Sequence, residues 1–259
     1  MITSTSNPQM KQIAALLKKS KERKEQRVFV IEGRKMFEEI CTDKSRLVKA
    51  YFSESYARET YGDKLPDIPC EVVADKVFDA VAETVTPQGI LAIVRMPEYS
   101  LEDMIEQAGT LVLLEDLRDP GNLGTILRTA EAAGVAGVIL SRESVDVYNP
   151  KVIRSTMGAV YRVPFLYVDD FKETLRHLKE RQVRLMAAHL KGTKTFDRAD
   201  YSGKIGILIG NEANGLTEEA AELAGEKVLI PMAGNVESLN AAVAAALLMY
   251  EAYRKQKLS

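Results

Sequence analysis

Cysteine and histidine are nearly absent from this 259-residue chain, with two of each, and the scarcity removes several chemistries at once. Cys41 and Cys70 stand apart, without C-x-x-C spacing or a neighbouring histidine, so neither a zinc site nor a disulfide framework is encoded. His177 lies in a charged helical stretch and His189 follows a strand; neither has ligand spacing, and no metal is expected. Long apolar runs are missing too. The longest, at 241–249, is too short to span a bilayer, and the opening M-I-T-S-T-S-N-P lacks the basic-then-apolar pattern of a signal peptide. The expectation is a soluble cytoplasmic protein that is not exported. No internal repeat or low-complexity tract is present.

Two nucleotide-binding signatures are incomplete. The run G-x-x-x-x-G-L-T at 210–217 approaches a P-loop, but Leu216 stands where lysine must reach the outer phosphates, which excludes a nucleotide hydrolase of that type. G-N-L-G at 121–124 is half of G-x-G-x-x-G, and glycines between strand and helix often serve only a tight turn.

What is present is an apolar content of 46%, enough to fill the core of one large or two small domains. The net charge of −2 hides an asymmetry. Residues 1–35 hold nine Lys/Arg against three Glu, so a +6 opening precedes a body of −8. Such a run is either a solvated helix face or the footprint of polyanion binding. Apolar spacing predicts an amphipathic helix over 8–20, capped by Asn7 and buried through Ile13, Leu16 and Leu17. Strands are predicted near 28–31, 47–52, 71–73 and 90–94, alternating with helices near 34–41, 54–60 and 75–82. Strands near 111–115, 137–140, 163–167, 183–188, 205–209 and 227–231 then alternate with helices, ending in an alanine-rich helix over 238–257. The fold class is α/β: a small α/β domain at 1–95, a linker at 96–109 and, at 110–259, a mostly parallel sheet covered on both faces.

Three turns follow buried-looking strands of the second domain: D-P-G-N-L-G-T-I-L-R at 119–128, G-N-E-A-N-G-L at 210–216 and I-P-M-A-G-N-V-E-S-L-N at 230–240. Ligands in open α/β sheets bind beyond the carboxyl ends of strands, which predicts one shared site. In this order the motifs resemble the SpoU-type (TrmH-like) RNA ribose methyltransferases of the SPOUT superfamily, across roughly residues 108–259. The basic opening and the F-V-I-E-G run at 29–33 resemble the substrate-binding domain of many members. Ala213 and Thr156 depart from commoner glycine and serine, both small-for-small.

The resemblance implies S-adenosylmethionine as cofactor, a trefoil knot near the carboxyl terminus, a homodimer through the catalytic domain, and RNA, preferably 23S ribosomal RNA, as substrate; transfer RNA remains an alternative. Gly210, Ile230 and Leu239 are its implied cofactor positions, and Met232 joins them as an apolar neighbour in the same turn. Arg128 is the implied catalytic residue. A guanidinium is a poor base at neutral pH, so two roles stay open: a base of depressed pKa, or a fork on the target phosphate while another group takes the proton. Asn122, Glu212, Ser238 and Asn240 complete the implied site, with capping as their ordinary role; Ser238 in particular would cap the last helix. Lys18, Lys19, Lys21, Arg23, Lys24, Arg27, Arg34 and Arg154 are the expected RNA contacts. A non-catalytic RNA-binding protein and a small-molecule enzyme are the rival readings; the full polar set argues against the first and the basic opening against the second.

Overall fold

The computed structural model describes residues 1–107 and 109–258, so Ala108 of the expected linker and Ser259 lie outside the described residues. Contacts divide the chain into two compact units, one of Met1–Pro97 with Asp146–Tyr161 and one of Glu98–Val145 with Arg162–Ser259.

The first unit opens with α1 (Pro8–Lys18), where Asn7 Oδ1 accepts from Gln9 N–H and Pro8 takes the first turn. Met10, Ile13, Leu16 and Leu17 are buried. Extended backbone at Lys19 ends the helix, and a second, α2 (Ser20–Gln26), follows where one helix was expected. Then come β1 (Val28–Glu32), α3 (Arg34–Ile40), β2 (Leu47–Ser53), α4 (Glu54–Tyr61), β3 (Cys70–Val73), α5 (Asp75–Val81) and β4 (Ile90–Arg95). The sheet order is β1-β4-β2-β3, with β4 antiparallel to both neighbours and β2 parallel to β3. Strand β4 earns its inner place by sequence: Ile90, Leu91, Ala92, Ile93 and Val94 are all buried.

The second unit begins inside the region expected to be a linker. Helix α6 (Leu101–Glu106) buries Met104 and Ile105 in the same core as Leu111, Leu113 and Leu208. Next are β5 (Thr110–Leu114), α7 (Pro120–Ala132) and β6 (Gly137–Ser141). Residues 146–161, with helix α8 (Pro150–Thr156), belong to the first unit although the sequence placed them in the second domain. Their membership shows in Phe29 of β1, whose ring lies 4.7 Å from that of Tyr148 and 6.5 Å from that of Tyr161. The second unit resumes with β7 (Phe165–Val168), α9 (Phe171–Glu180), β8 (Arg184–Ala188), a two-residue β9 (Lys194–Thr195), β10 (Ile205–Ile209), α10 (Glu218–Ala224), β11 (Gly225–Leu229) and α11 (Ala241–Lys257).

All pairs in its seven-stranded sheet are parallel, in the order β7-β6-β5-β10-β8-β11-β9. From β5 the chain runs outward through β6 and β7, and later fills the other side through β10 and β8. The β5–β10 boundary is therefore the switch point where such sheets open a crevice.

Candidate active site

Parallel pairing aligns Leu114 with Ile209, so the turns after β5 and β10 leave the sheet side by side. Glu115, the first residue past β5, is buried, and its carboxylate accepts from the Thr217 backbone N–H and hydroxyl, each at 2.8 Å. Asn211 ties the same two turns: its amide donates to the Asp116 carbonyl at 2.8 Å while its oxygen accepts from Ala213 and Asn214 N–H. Paired backbone bonds between Asn211 and Gly215 fold this loop back over Gly210, where a Cβ would lie 2.1 Å from Gly215 C. Only glycine fits there.

Glu212 joins the turns into one polar chain. Its Oε1 accepts from Asp119 N–H at 2.9 Å and Asn122 Nδ2 at 3.0 Å, and its Oε2 from Arg118 N–H at 3.1 Å. Asn122 Oδ1 then accepts from Asn240 Nδ2 at 2.9 Å, and Asn240 Oδ1 accepts from Ala242 and Val243 N–H at the start of α11. The direction of this chain is fixed at both ends. A carboxylate only accepts and the first N–H groups of a helix only donate, so each asparagine can be turned one way only. Desolvation pushes the Glu212 carboxyl up, but the bonds from Asn122, Asp119 and Arg118 outweigh it and hold its pKa below the ordinary value. The residue is ionised at neutral pH.

Asn122, Glu212 and Asn240 are thus brought together as the sequence expected, and Glu212 holds Asn122 directly. Ser238 is not brought in. It is exposed, makes no hydrogen bond among the described residues, and does not cap α11; Asn240 does, because the helix begins at Ala241. Arg128 is also exposed, and among the described residues it has no hydrogen bond or ion pair, so the surface ion pair that a lone helical arginine usually makes is absent. Six positions past Asn122, it lies about 240° further round α7, on a different face. Glu115, Asn211 and the α7 cap Asp119 were missed as site residues. The available signal was a glutamate directly after an all-apolar central strand.

Ile230, Met232 and Leu239 are half-buried apolar side chains at the carboxyl end of β11. Among the described residues, the backbone of 230–239 makes no backbone–backbone hydrogen bond to another element. An adenosine needs an apolar slot bordered by free main-chain donors and acceptors, and these residues with Gly210 fit that group. No cluster of three or more potential metal ligands occurs among the described residues.

The sequence profile of the SpoU rRNA Methylase family matches residues 109–250, more than half of the chain and all three turns. The chain belongs to this family. A second profile, the MRM3-like substrate binding domain, matches residues 7–92. The chain is 33% identical over 255 residues to the 23S rRNA (guanosine(2553)-2'-O)-methyltransferase RlmP of Bacillus subtilis, covering 96% of this chain and 97% of that one. A crystal structure of an AdoMet-bound rRNA methyltransferase from Sinorhizobium meliloti superposes with a TM-score of 0.83 at 33% identity, over 100% of this chain and 98% of that one. The SpoU methyltransferase AviRb of Streptomyces viridochromogenes gives 0.82 at 27% identity, over 96% and 98%. The α/β fold with its mostly parallel sheet is that of the SPOUT methyltransferases.

The expected RNA contacts fall into two groups. Lys18, Lys19, Lys21, Lys24, Arg27 and Arg34 are exposed. Arg23 is not a free contact: it is 4% exposed, its Nε and Nη2 both bind Asp146 Oδ2, and Nη1 donates to the carbonyls of Leu16 and Leu17. Every face of its guanidinium serves the fold, so a phosphate has nothing to bind. Arg154 is half-buried, and its Nη1 is a buried donor without an acceptor among the described residues.

Proposed function

We propose that this protein methylates a ribose 2'-hydroxyl in RNA, 23S ribosomal RNA first among candidates, with S-adenosylmethionine as methyl donor. The observation that carries the reading is the chain Glu212–Asn122–Asn240, which locks three separate turns of a SpoU family member around one crevice. Similarity over nearly the full length to a named 23S rRNA 2'-O-methyltransferase supports the substrate. A ribosomal RNA substrate supports a cytoplasmic location, and no helix among the described residues is long and apolar enough to cross a membrane.

When bound, the cofactor would be held by Gly210, Ile230, Met232 and Leu239 and would supply an electrophilic methyl group. The ribose 2'-hydroxyl would have to be aligned with that group and give up its proton. Positioning accounts for much of the acceleration, about 7–11 kcal/mol in well-oriented systems. Glu212, Asn122 and Asn240 fix the turns that set this alignment. Arg128, exposed and without a partner among the described residues, either accepts the proton or grips the target phosphate. Lys18, Lys19, Lys21, Lys24 and Arg27 track the RNA backbone, and Arg34 and the half-buried Arg154 are further RNA contacts. The unit of Met1–Pro97 with Asp146–Tyr161 serves substrate recognition, and the unit of Glu98–Val145 with Arg162–Ser259 catalysis.

We also assign a homodimer to the catalytic domain. Thr125 of α7 and Val243, Leu247 and Tyr250 of α11 border an apolar trough of about 680 Å³, with Val243 and Tyr250 each 48% exposed. Such a face is costly to leave in water, and a two-fold copy covers it. Arg128 lies one turn beyond Thr125, so the partner is brought close to the catalytic arginine. The trefoil knot near the carboxyl terminus is supported by the full-length likeness to solved SpoU and rRNA methyltransferases. Mapping ribose methylation in RNA from cells with and without the gene tests the activity; an identical map in both contradicts it.

A further inference from the structure

The first unit holds a cleft of about 970 Å³ that the catalytic reading does not use, bordered by Arg34, Glu38, Ser55, Tyr56, Glu59 and Gln88. We propose that it takes one unpaired nucleobase of the RNA substrate, stacked on Tyr56 and covered by Arg34. This rests on the RNA-methylating function proposed above and names a recognition element for it.

The Tyr56 ring is held as a platform. It stacks on Phe52 at 5.9 Å with an interplanar angle of 26°, meets Tyr61 edge-on at 6.0 Å, and Phe52 is braced by Phe37 at 5.5 Å. The opposite wall is just as constrained. Gly89, at φ +75°, sits where a Cβ would fall 2.5 Å from Tyr56 Cβ, and Gln88 Oε1 accepts from Arg34 N–H at 2.8 Å. That bond leaves the Gln88 amide donors unpaired among the described residues. Over the ring stands the Arg34 guanidinium, 5.6 Å from its centroid and exposed, with no other partner among the described residues. An exposed contact of this kind is weak, and base stacking on an aromatic is stronger, so a base displaces the guanidinium from the ring and is then capped by it.

Charge selects the base over the phosphate. The lining carries Glu38, Glu39 and Glu59 against Arg34 and Lys35, so its balance is acidic and disfavours a phosphodiester, whereas a carboxylate accepts from the amino group of a base. Gln88 supplies the complementary donor. The pattern favours guanine, adenine or cytosine over uracil, which has no amino group.

The test is titration of the full chain, at several salt concentrations, with single-stranded RNA hexamers of uridine carrying one central guanosine, adenosine, cytidine or no replacement. Tyr56→Leu keeps apolar packing but loses the aromatic face, and should weaken the amino-bearing hexamers about ten-fold or more. The slope of log affinity against log salt should stay unchanged, because a base contact releases no counterions. Tyr56→Phe should bind as the parent does, and Glu59→Gln should narrow the preference over uridine. Arg34→Ala, a surface change that leaves the core intact, should weaken binding without moving the slope; a slope reduced by nearly one would make Arg34 a phosphate contact and overturn the proposal. Unchanged affinity in both Tyr56→Leu and Arg34→Ala overturns it as well while leaving the methylation reading standing. A parent chain that binds none of the hexamers and no ribosomal RNA overturns both.

Discussion

Replacing Glu212 by glutamine removes one charge and keeps the shape, and the geometry dictates which bonds survive. The carboxylate now receives three donors on two oxygens: Asp119 N–H and Asn122 Nδ2 on one, Arg118 N–H on the other. A glutamine has one acceptor and one NH2, so either orientation sets donor against donor. With the oxygen toward Asp119 and Asn122, Arg118 N–H is orphaned; flipped, two donors are orphaned. Hydrogen bonds to a charged group contribute about 1.5–3 kcal/mol where desolvated, and the exposure of Glu212 places the loss near the lower end, about 1–2 kcal/mol. Urea unfolding at pH 7 measures it. The sign of the pH dependence follows from the depressed native pKa: the unfolded state binds the proton first, so the carboxylate's contribution is present above the unfolded value and is lost as pH falls through the folded one. The gap between parent and Glu212→Gln should therefore shrink as pH drops below about 4.5. A gap that is constant from pH 7 to pH 3, or no gap at all, refutes the role of the charge in holding the turns.

Gly210→Ala should fail differently, since its Cβ would collide with Gly215 backbone rather than with a movable side chain. Calorimetry should show S-adenosylmethionine affinity lost, with stability lowered by about 1–3 kcal/mol from overpacking. Arg23→Ala breaks a buried pair with Asp146 and should cost about 3–5 kcal/mol in denaturant unfolding. Exposed Lys24→Ala should leave stability unchanged and reduce the salt slope of RNA binding by a little under one. Leu247→Asp charges the trough beside Val243 and Tyr250, and sedimentation should show the parent as a dimer and the variant as a monomer.

The fold was legible where burial alone decides it. Strands such as β5 and β10 are nearly continuous apolar runs of five residues, too short for a helix and long enough for a strand covered on both faces. Helix α6 was hidden because it is only six residues long, and proline and acids around it suggested a linker. The two-residue β9 has no periodicity to detect. Motif order pointed to Asn122, Glu212 and Asn240, which the structure joins by hydrogen bonds across 90 and 118 positions. The basic run misled at Arg23, because a guanidinium drawn inward by Asp146, 123 positions away, looks the same in sequence as its solvated neighbours. Ser238 was credited with a cap that Asn240 makes, a shift of two residues that a helix start read from composition does not resolve.

The most direct measurement is transfer of labelled methyl from S-adenosylmethionine to 23S ribosomal RNA by the purified chain, with the product digested in alkali. A methyl on the 2'-oxygen blocks cleavage of the adjoining phosphodiester, so the label should remain in an alkali-stable dinucleotide at one position. Single-turnover transfer by Arg128→Ala should fall by about 10²-fold or more at saturating RNA, and Arg128→Lys should recover part of it only if the arginine grips phosphate. Label recovered on a base, no label in RNA, or normal rates in both Arg128 variants would contradict the account.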